Sequence, residues 1–183
     1  LYVAGNGLSV LNGDTLLQLP NSTSYINNMS KRIVGIFPYQ NKLLLVSNQH
    51  GLFFYENGTF VPFRSTADEF LKKNRLRCAT MKGPLLALGT VQNGLLLLNL
   101  DTGSTEHIST HNGLQNKAIL SLFFDREENL WLGLDNGIDC VHLHSPAFQN
   151  STPIGSGYTS CLYKNKLYLG TNQGVFIADY PLG

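Results

Sequence analysis

Histidines, cysteines and carboxylates are the residues of this chain that could do chemistry, and their spacing offers little for any of it. His142 and His144 stand two apart, so on one strand they would share a face and could open a metal site. No third ligand stands at a recognisable spacing, and no metal is expected. Cys78, Cys140 and Cys161 are an odd count without a close metal-type pair; they read as small thiols within strands, with no disulfide expected. Glycoside hydrolysis needs two carboxyls facing one pocket. The acids are sparse, and Asp14, Asp101, Asp125, Glu127 and Glu128 stand in turn-like stretches where solvation explains them. Gly-x-Ser-x-Gly, P-loop and Cys-x-x-Cys patterns are absent. No catalytic residue is therefore assigned, no cofactor is expected, and the segment reads as a non-enzyme. His107 and His111 read as linker residues. Tyr2, Trp131 and Tyr168 hold equivalent places in apolar segments; they could stack against sugar rings, but packing between sheets is the favoured reading.

Those side chains must be carried by a framework, and composition says it is a packed one. The chain has 183 residues, 43% hydrophobic, 10% aromatic and only 14% charged, which excludes a disordered, solvated chain. A net charge of +1 excludes a global field that would attract nucleic acid or anionic lipid. The one basic cluster, Lys72, Lys73, Arg75 and Arg77, has no aromatic platform beside it and reads as a solvated linker face. No apolar run approaches the roughly 20 residues of a membrane helix. The chain begins at Leu1-Tyr2-Val3-Ala4, within what reads as a strand, so a piece of a longer protein is expected.

An internal repeat decides the fold class. Glycines at 7, 51, 94, 137 and 174 follow one another in steps of 44, 43, 43 and 37 residues. Each of Gly7, Gly51, Gly94, Gly137 and Gly174 closes a short apolar strand and a polar turn, and a second apolar strand follows it. A period near 43 is the size of one four-stranded propeller blade. The glycine marks a turn position where positive φ is expected. Small residues at Ser47, Gly89, Gly133 and Gly170 stand where strands would crowd together. Asn12-Gly13-Asp14, Asn57-Gly58 and Asp101-Thr102-Gly103 add hairpin signals further along each repeat.

The expected architecture is therefore all-β: a β-propeller fragment, residues 1–183, of four to five repeats, incomplete at both ends. A partial blade spans 1–20, blades span 33–63, 76–108 and 119–149, and a partial blade spans 159–180. Asp68 to Asn74 is expected to form one short helical turn in a linker. Open strand edges at the two ends would need covering. Either the parent protein carries further blades, the favoured reading, or the repeat at Leu1 and the last one meet to close a small ring. A homodimer through the open edges is the partner the chain itself could supply.

The fourth repeat carries a resemblance. His111-Asn112-Gly113-Leu114 leads to Ile119-Leu120-Ser121-Leu122-Phe123-Phe124-Asp125 and then Asn129-Leu130-Trp131-Leu132-Gly133-Leu134-Asp135-Asn136-Gly137-Ile138. This resembles the two-component-regulator propeller repeat. Leu167-Tyr168-Leu169-Gly170-Thr171-Asn172-Gln173-Gly174-Val175-Phe176 resembles the last propeller part of such regulators. The first three repeats are looser, with Tyr2, Leu45 and Leu88 at the position of Trp131. The resemblance implies a periplasmic, ligand-sensing propeller of a bacterial inner-membrane regulator. It further implies additional blades, a triple-tyrosine domain after them, a kinase or DNA-binding output elsewhere, and carbohydrate as the ligand. The ligand-binding residues stay unassigned. In a bacterial protein the Asn-x-Ser/Thr triplets at Asn21, Asn28, Asn57 and Asn150 would carry no glycans. The alternatives are a polysaccharide-cleaving propeller enzyme and a protein-binding scaffold.

Overall fold

The computed structural model of the chain describes residues 2–5, 7–23, 32–143, 157–171 and 174–179. They belong to two compact units, Leu1–His144 and Ser145–Gly183.

In the first unit, apolar runs of four to seven residues broken by glycine and asparagine turns give four antiparallel sheets, each laid out in chain order. The first sheet holds β1 (Tyr2–Gly5), β2 (Gly7–Asn12) and β3 (Thr15–Gln18). The second holds β4 (Ile33–Tyr39), β5 (Lys42–Ser47), β6 (Leu52–Glu56) and β7 (Thr59–Phe63). A short helix, α1 (Asp68–Lys73), lies in the linker, with acids in its first turn and lysines in its last, as the helix dipole favours. The third sheet holds β8 (Leu76–Lys82), β9 (Leu85–Thr90), β10 (Leu95–Asn99) and β11 (Thr105–Ile108). The fourth holds β12 (Ile119–Phe124), β13 (Asn129–Leu134) and β14 (Ile138–His142). The remainder of the expected 119–149 blade, residues 144–149, lies outside the described residues.

The sheets stack face to face, and alternation along each strand supplies both faces. Leu43, Leu45, Phe53 and Tyr55 of the second sheet meet Leu8, Tyr2 and Ala4 of the first. Their strand neighbours Leu44, Val46 and Leu52 point the other way, into Leu86, Leu88, Leu96 and Leu98 of the third sheet, with Ala67 and Leu71 of the linker closing the layer. Ala87, Leu95 and Leu97 on the opposite face of the third sheet pack on Ile119, Leu130, Leu132 and Leu134 of the fourth. Burial on both faces explains why β5 and β9 read as unbroken apolar runs rather than alternating ones. Each fully buried leucine contributes about 1.5–3 kcal/mol. The first strands β4, β8 and β12 lie side by side, and the outer strands β7 and β11 are largely exposed.

Each first strand also carries a register shift, at Ile33/Gly35, Leu76/Cys78 and Ile119/Ser121. The shift sets which residues of adjacent repeats are equivalent, and it corrects one expectation. Gly89 faces Cys78, Gly133 faces Ser121 and Val46 faces Gly35. Counting back two residues from each, the counterparts of Trp131 are Leu44 and Ala87, not Leu45 and Leu88. The turn is one residue longer in those sheets: Ser47 N–H bonds to Gly51 O and Thr90 N–H to Gly94 O, but Leu134 N–H to Gly137 O.

The second unit holds one described antiparallel sheet, β15 (Gly157–Tyr163), β16 (Lys166–Thr171) and β17 (Gly174–Asp179). It repeats the shift, at Gly157/Thr159, and Lys166 and Asp179 pair at 2.8 Å across its end.

Candidate functional site

The strand order of the first unit gives it two ends. The glycine turns and the linkers between sheets gather at one end; the hairpins carrying Asn12-Gly13, Asn57-Gly58 and Asp101-Thr102-Gly103 gather at the other. The repeat glycines have φ of 128° (Gly7), 86° (Gly51), 69° (Gly94), 100° (Gly137) and 137° (Gly174), so all five are turn glycines held by the backbone.

Between the glycine turn of the second sheet and α1 lies a cleft of about 290 Å³. Its floor is apolar: Leu52, Phe53 and Leu71 are buried, with Pro62 and Phe63 beside them. Its rim is polar, formed by Gln49, His50, Arg64, Asp68 and Lys72. Asp68 is committed locally, accepting from the Ser65 backbone N–H at 3.2 Å and from Arg64 Nη1 at 3.3 Å. Lys72 reaches Glu69 at 3.4 Å in an exposed pair, the kind worth little in water. These rim residues come from the β5–β6 turn, the end of β7 and one face of α1, so no motif announces them. Lys72, read from sequence as part of a solvated linker face, borders this cleft, while Lys73 faces Glu69 at 3.8 Å.

A second polar group sits at the hairpin end of the fourth sheet. Asp125 Oδ2 accepts from Trp131 Nε1 at 2.9 Å and from Asn129 Nδ2 at 3.0 Å; its Oδ1 accepts from the backbone of Glu127 and Asn129. The indole N–H is the largest influence, ahead of the opposing effect of burial, and the carboxyl is held down at about 2. His142 Nδ1 lies 2.7 Å from Asn129 Oδ1 and donates to it, because that amide oxygen can only accept. His144 lies outside the described residues, and among the described residues no three His, Cys, Asp or Glu side chains gather as metal ligands. Trp131 is 43% exposed, beside the still more exposed Phe123 and Ile138. By contrast Tyr2, Leu44 and Ala87 pack into the layers between sheets. Tyr168 is half-buried within its own sheet. Glu127 and Glu128 stand in the β12–β13 hairpin, where Lys82 approaches Glu128 at 3.5 Å and donates to the Asp125 carbonyl at 3.0 Å. His107 bonds to the Asn93 carbonyl at 2.7 Å.

All three cysteines are free. Burial pushes the Cys78 thiol up to about 11, where it rests 3.7 Å from the Ile119 carbonyl between the third and fourth sheets.

No family model and no curated protein match the chain. Solved structures do. The extracellular domain of a protein described as a hybrid two-component system of B. thetaiotaomicron superposes with a TM-score of 0.57 at 19% identity, over 96% of this chain and 24% of that one. A second such extracellular domain from the same organism gives 0.53 at 23% identity, over 97% of this chain and 25% of that one. The computationally designed Ika8 protein gives 0.50 at 13% identity, over 95% and 52%. This chain thus spans about a quarter of the length of the two regulator domains. Regulators and a designed protein share the likeness, so it carries architecture rather than function. In keeping with the repeat that the sequence resembles, that architecture is a β-propeller segment of stacked four-stranded blades.

Proposed function

We propose that this chain is part of the extracytoplasmic, ligand-sensing propeller of a bacterial transmembrane signalling regulator, and that a carbohydrate is the ligand. The observation that carries the proposal is the likeness to extracellular domains of two regulators over almost the whole of this chain, joined to the fourth repeat's sequence pattern. The parent protein then carries further blades, a triple-tyrosine domain and an output domain across the membrane. Among the described residues, no helix is long and apolar enough to cross a membrane. Sensing places the ligand in loops at one end of the stack, where a rigid scaffold presents variable chain. The glycine-turn end, with the Gly51 cleft, fits that role. Binding would act by favouring one of two arrangements of the parent protein.

A glycan-binding screen paired with a hydrolysis assay tests the proposal. Binding without turnover is the expected result; release of cleaved product would overturn it in favour of an enzyme. Sequencing the rest of the gene gives an independent check, expected to show a membrane helix followed by kinase or helix-turn-helix sequence.

A further inference from the structure

The four glycine turns of the first unit are equivalent by repeat, and two of them, at Gly7 and Gly94, are closed. At Gly7 an added Cβ would meet Gln18 Nε2 at 2.7 Å and Ser22 Oγ at 3.0 Å. At Gly94 it would land on the Ile108 carbonyl, with Ser109 Cα at 3.1 Å. Gly137 is exposed, and the one side chain near it, Gln115, lies at an ordinary contact distance of 3.6 Å. At Gly51 the same corner is open, with no heavy atom within 4 Å. There the chain leaves β7 through Arg64 into α1 and does not fold back over the turn. What sets Gly51 apart is the apolar-floored cleft beside it, and such a cleft is where function is expected to sit.

The rim has more donors than acceptors. Among the described residues, the Gln49 amide and the His50 ring have no hydrogen-bond partner. Arg64 offers five N–H donors and spends Nη1 on Asp68, and Lys72 is held only by an exposed pair with Glu69. The single acid of the rim, Asp68, is already bonded twice. An acceptor-rich, negatively charged group satisfies this arrangement; a guanidinium fork suits a carboxylate in particular.

We infer that the cleft formed by Gln49, His50, Arg64 and Lys72 over Phe53 and Leu71 binds a small ligand that carries a carboxylate. The carboxylate sits against Arg64 and Lys72, and the carbon skeleton lies on the floor. The cavity, about 290 Å³, has room for one sugar-acid ring rather than a long chain. The inference narrows the ligand proposed above and rests on that sensing role.

The test uses the whole 183-residue chain. Glucuronate, galacturonate and gluconate are titrated beside their neutral counterparts glucose, galactose and glucitol, with amide shifts of Gln49–Leu52 as the readout. Arg64→Gln and Lys72→Gln follow; both side chains are exposed, so the fold is expected to persist, checked by circular dichroism. An acid should bind at least tenfold tighter than its neutral counterpart and shift Gly51. Each substitution should weaken it roughly 10- to 100-fold, the size of one charged hydrogen bond. Equal binding of acid and neutral sugar, or shifts that survive both substitutions, overturns the carboxylate site and leaves the sensing role standing. Silence from every acid, with a glycan in the screen binding elsewhere on the chain, also overturns the site alone. Silence from the acids and from the screen overturns both.

Discussion

Two glycines of the same motif should differ in cost by several kilocalories when changed to alanine. Gly51 and Gly94 both sit at left-handed φ, 86° and 69°. Placing a side chain there costs about 1–2 kcal/mol of backbone strain in either case. At Gly51 nothing else is added, because the methyl enters open space. At Gly94 the methyl lands on the Ile108 carbonyl, inside the 3.0 Å that real Cβ atoms keep, and the obstacle is backbone. The end of β11 must move, which costs about 1–3 kcal/mol as overpacking. The bond from Gly94 N–H to Lys117 O, 2.9 Å, is strained with it, at about 0.5–1.5 kcal/mol. Gly51→Ala should therefore cost about 1–2 kcal/mol and Gly94→Ala about 2.5–6.5 kcal/mol. The second value is a large part of the roughly 5–15 kcal/mol that holds a domain folded. Urea unfolding followed through Trp131, the only tryptophan, reads both variants on one signal. In heating experiments each kilocalorie should appear as about 2–4 °C. If the two variants lie within 1 kcal/mol of each other, the contact argument at Gly94 is wrong.

Further expectations follow from the layers and the polar group at Trp131. Gly89→Val should destabilise by about 1–3 kcal/mol through overpacking, because its Cβ would meet Cys78 Sγ at 2.6 Å and Ile119 Cγ2 at 2.8 Å. A neutral result in urea unfolding would show that the third and fourth sheets can separate freely. Leu132→Ala, in the same layer, should cost about 2–5 kcal/mol, against less than about 0.5 kcal/mol for exposed Leu16→Ala; similar values for both would refute the placement of the core. The Asp125 carboxyl lies below its ordinary value near 3.8, so its contribution to stability is complete above that range and is lost as pH falls through about 2. Trp131 emission should titrate with a midpoint near 2 and lose that step in Asp125→Asn; a midpoint near 4 would break the link to the indole N–H. At pH 8, with the Cys78 thiol raised to about 11 by burial, a thiol reagent should label exposed Cys161 roughly ten times faster or more. Equal labelling rates would mean that Cys78 is open to solvent.

Much of the fold is local and could be read from the chain alone. A glycine that must take positive φ, an Asn-Gly hairpin and a run of leucines each act over a few residues, so their recurrence near every 43 residues already announced four-stranded repeats. The short linker helix at Asp68 was legible for the same reason. Facing is different. Trp131 and its counterparts look aligned when counted back from the turn glycine, which puts Leu45 and Leu88 beside it. A turn one residue longer moves the match to Leu44 and Ala87, and on a strand one residue is the whole difference between two faces. Only the bonds that close each turn fix that length. The candidate site lay further out of reach. Gln49, His50, Arg64 and Lys72 come from a turn, a strand end and a helix, with no spacing that pattern can detect. They share a cleft because the linker after β7 runs into α1 and leaves the Gly51 turn uncovered, and covering is a property of tertiary structure alone.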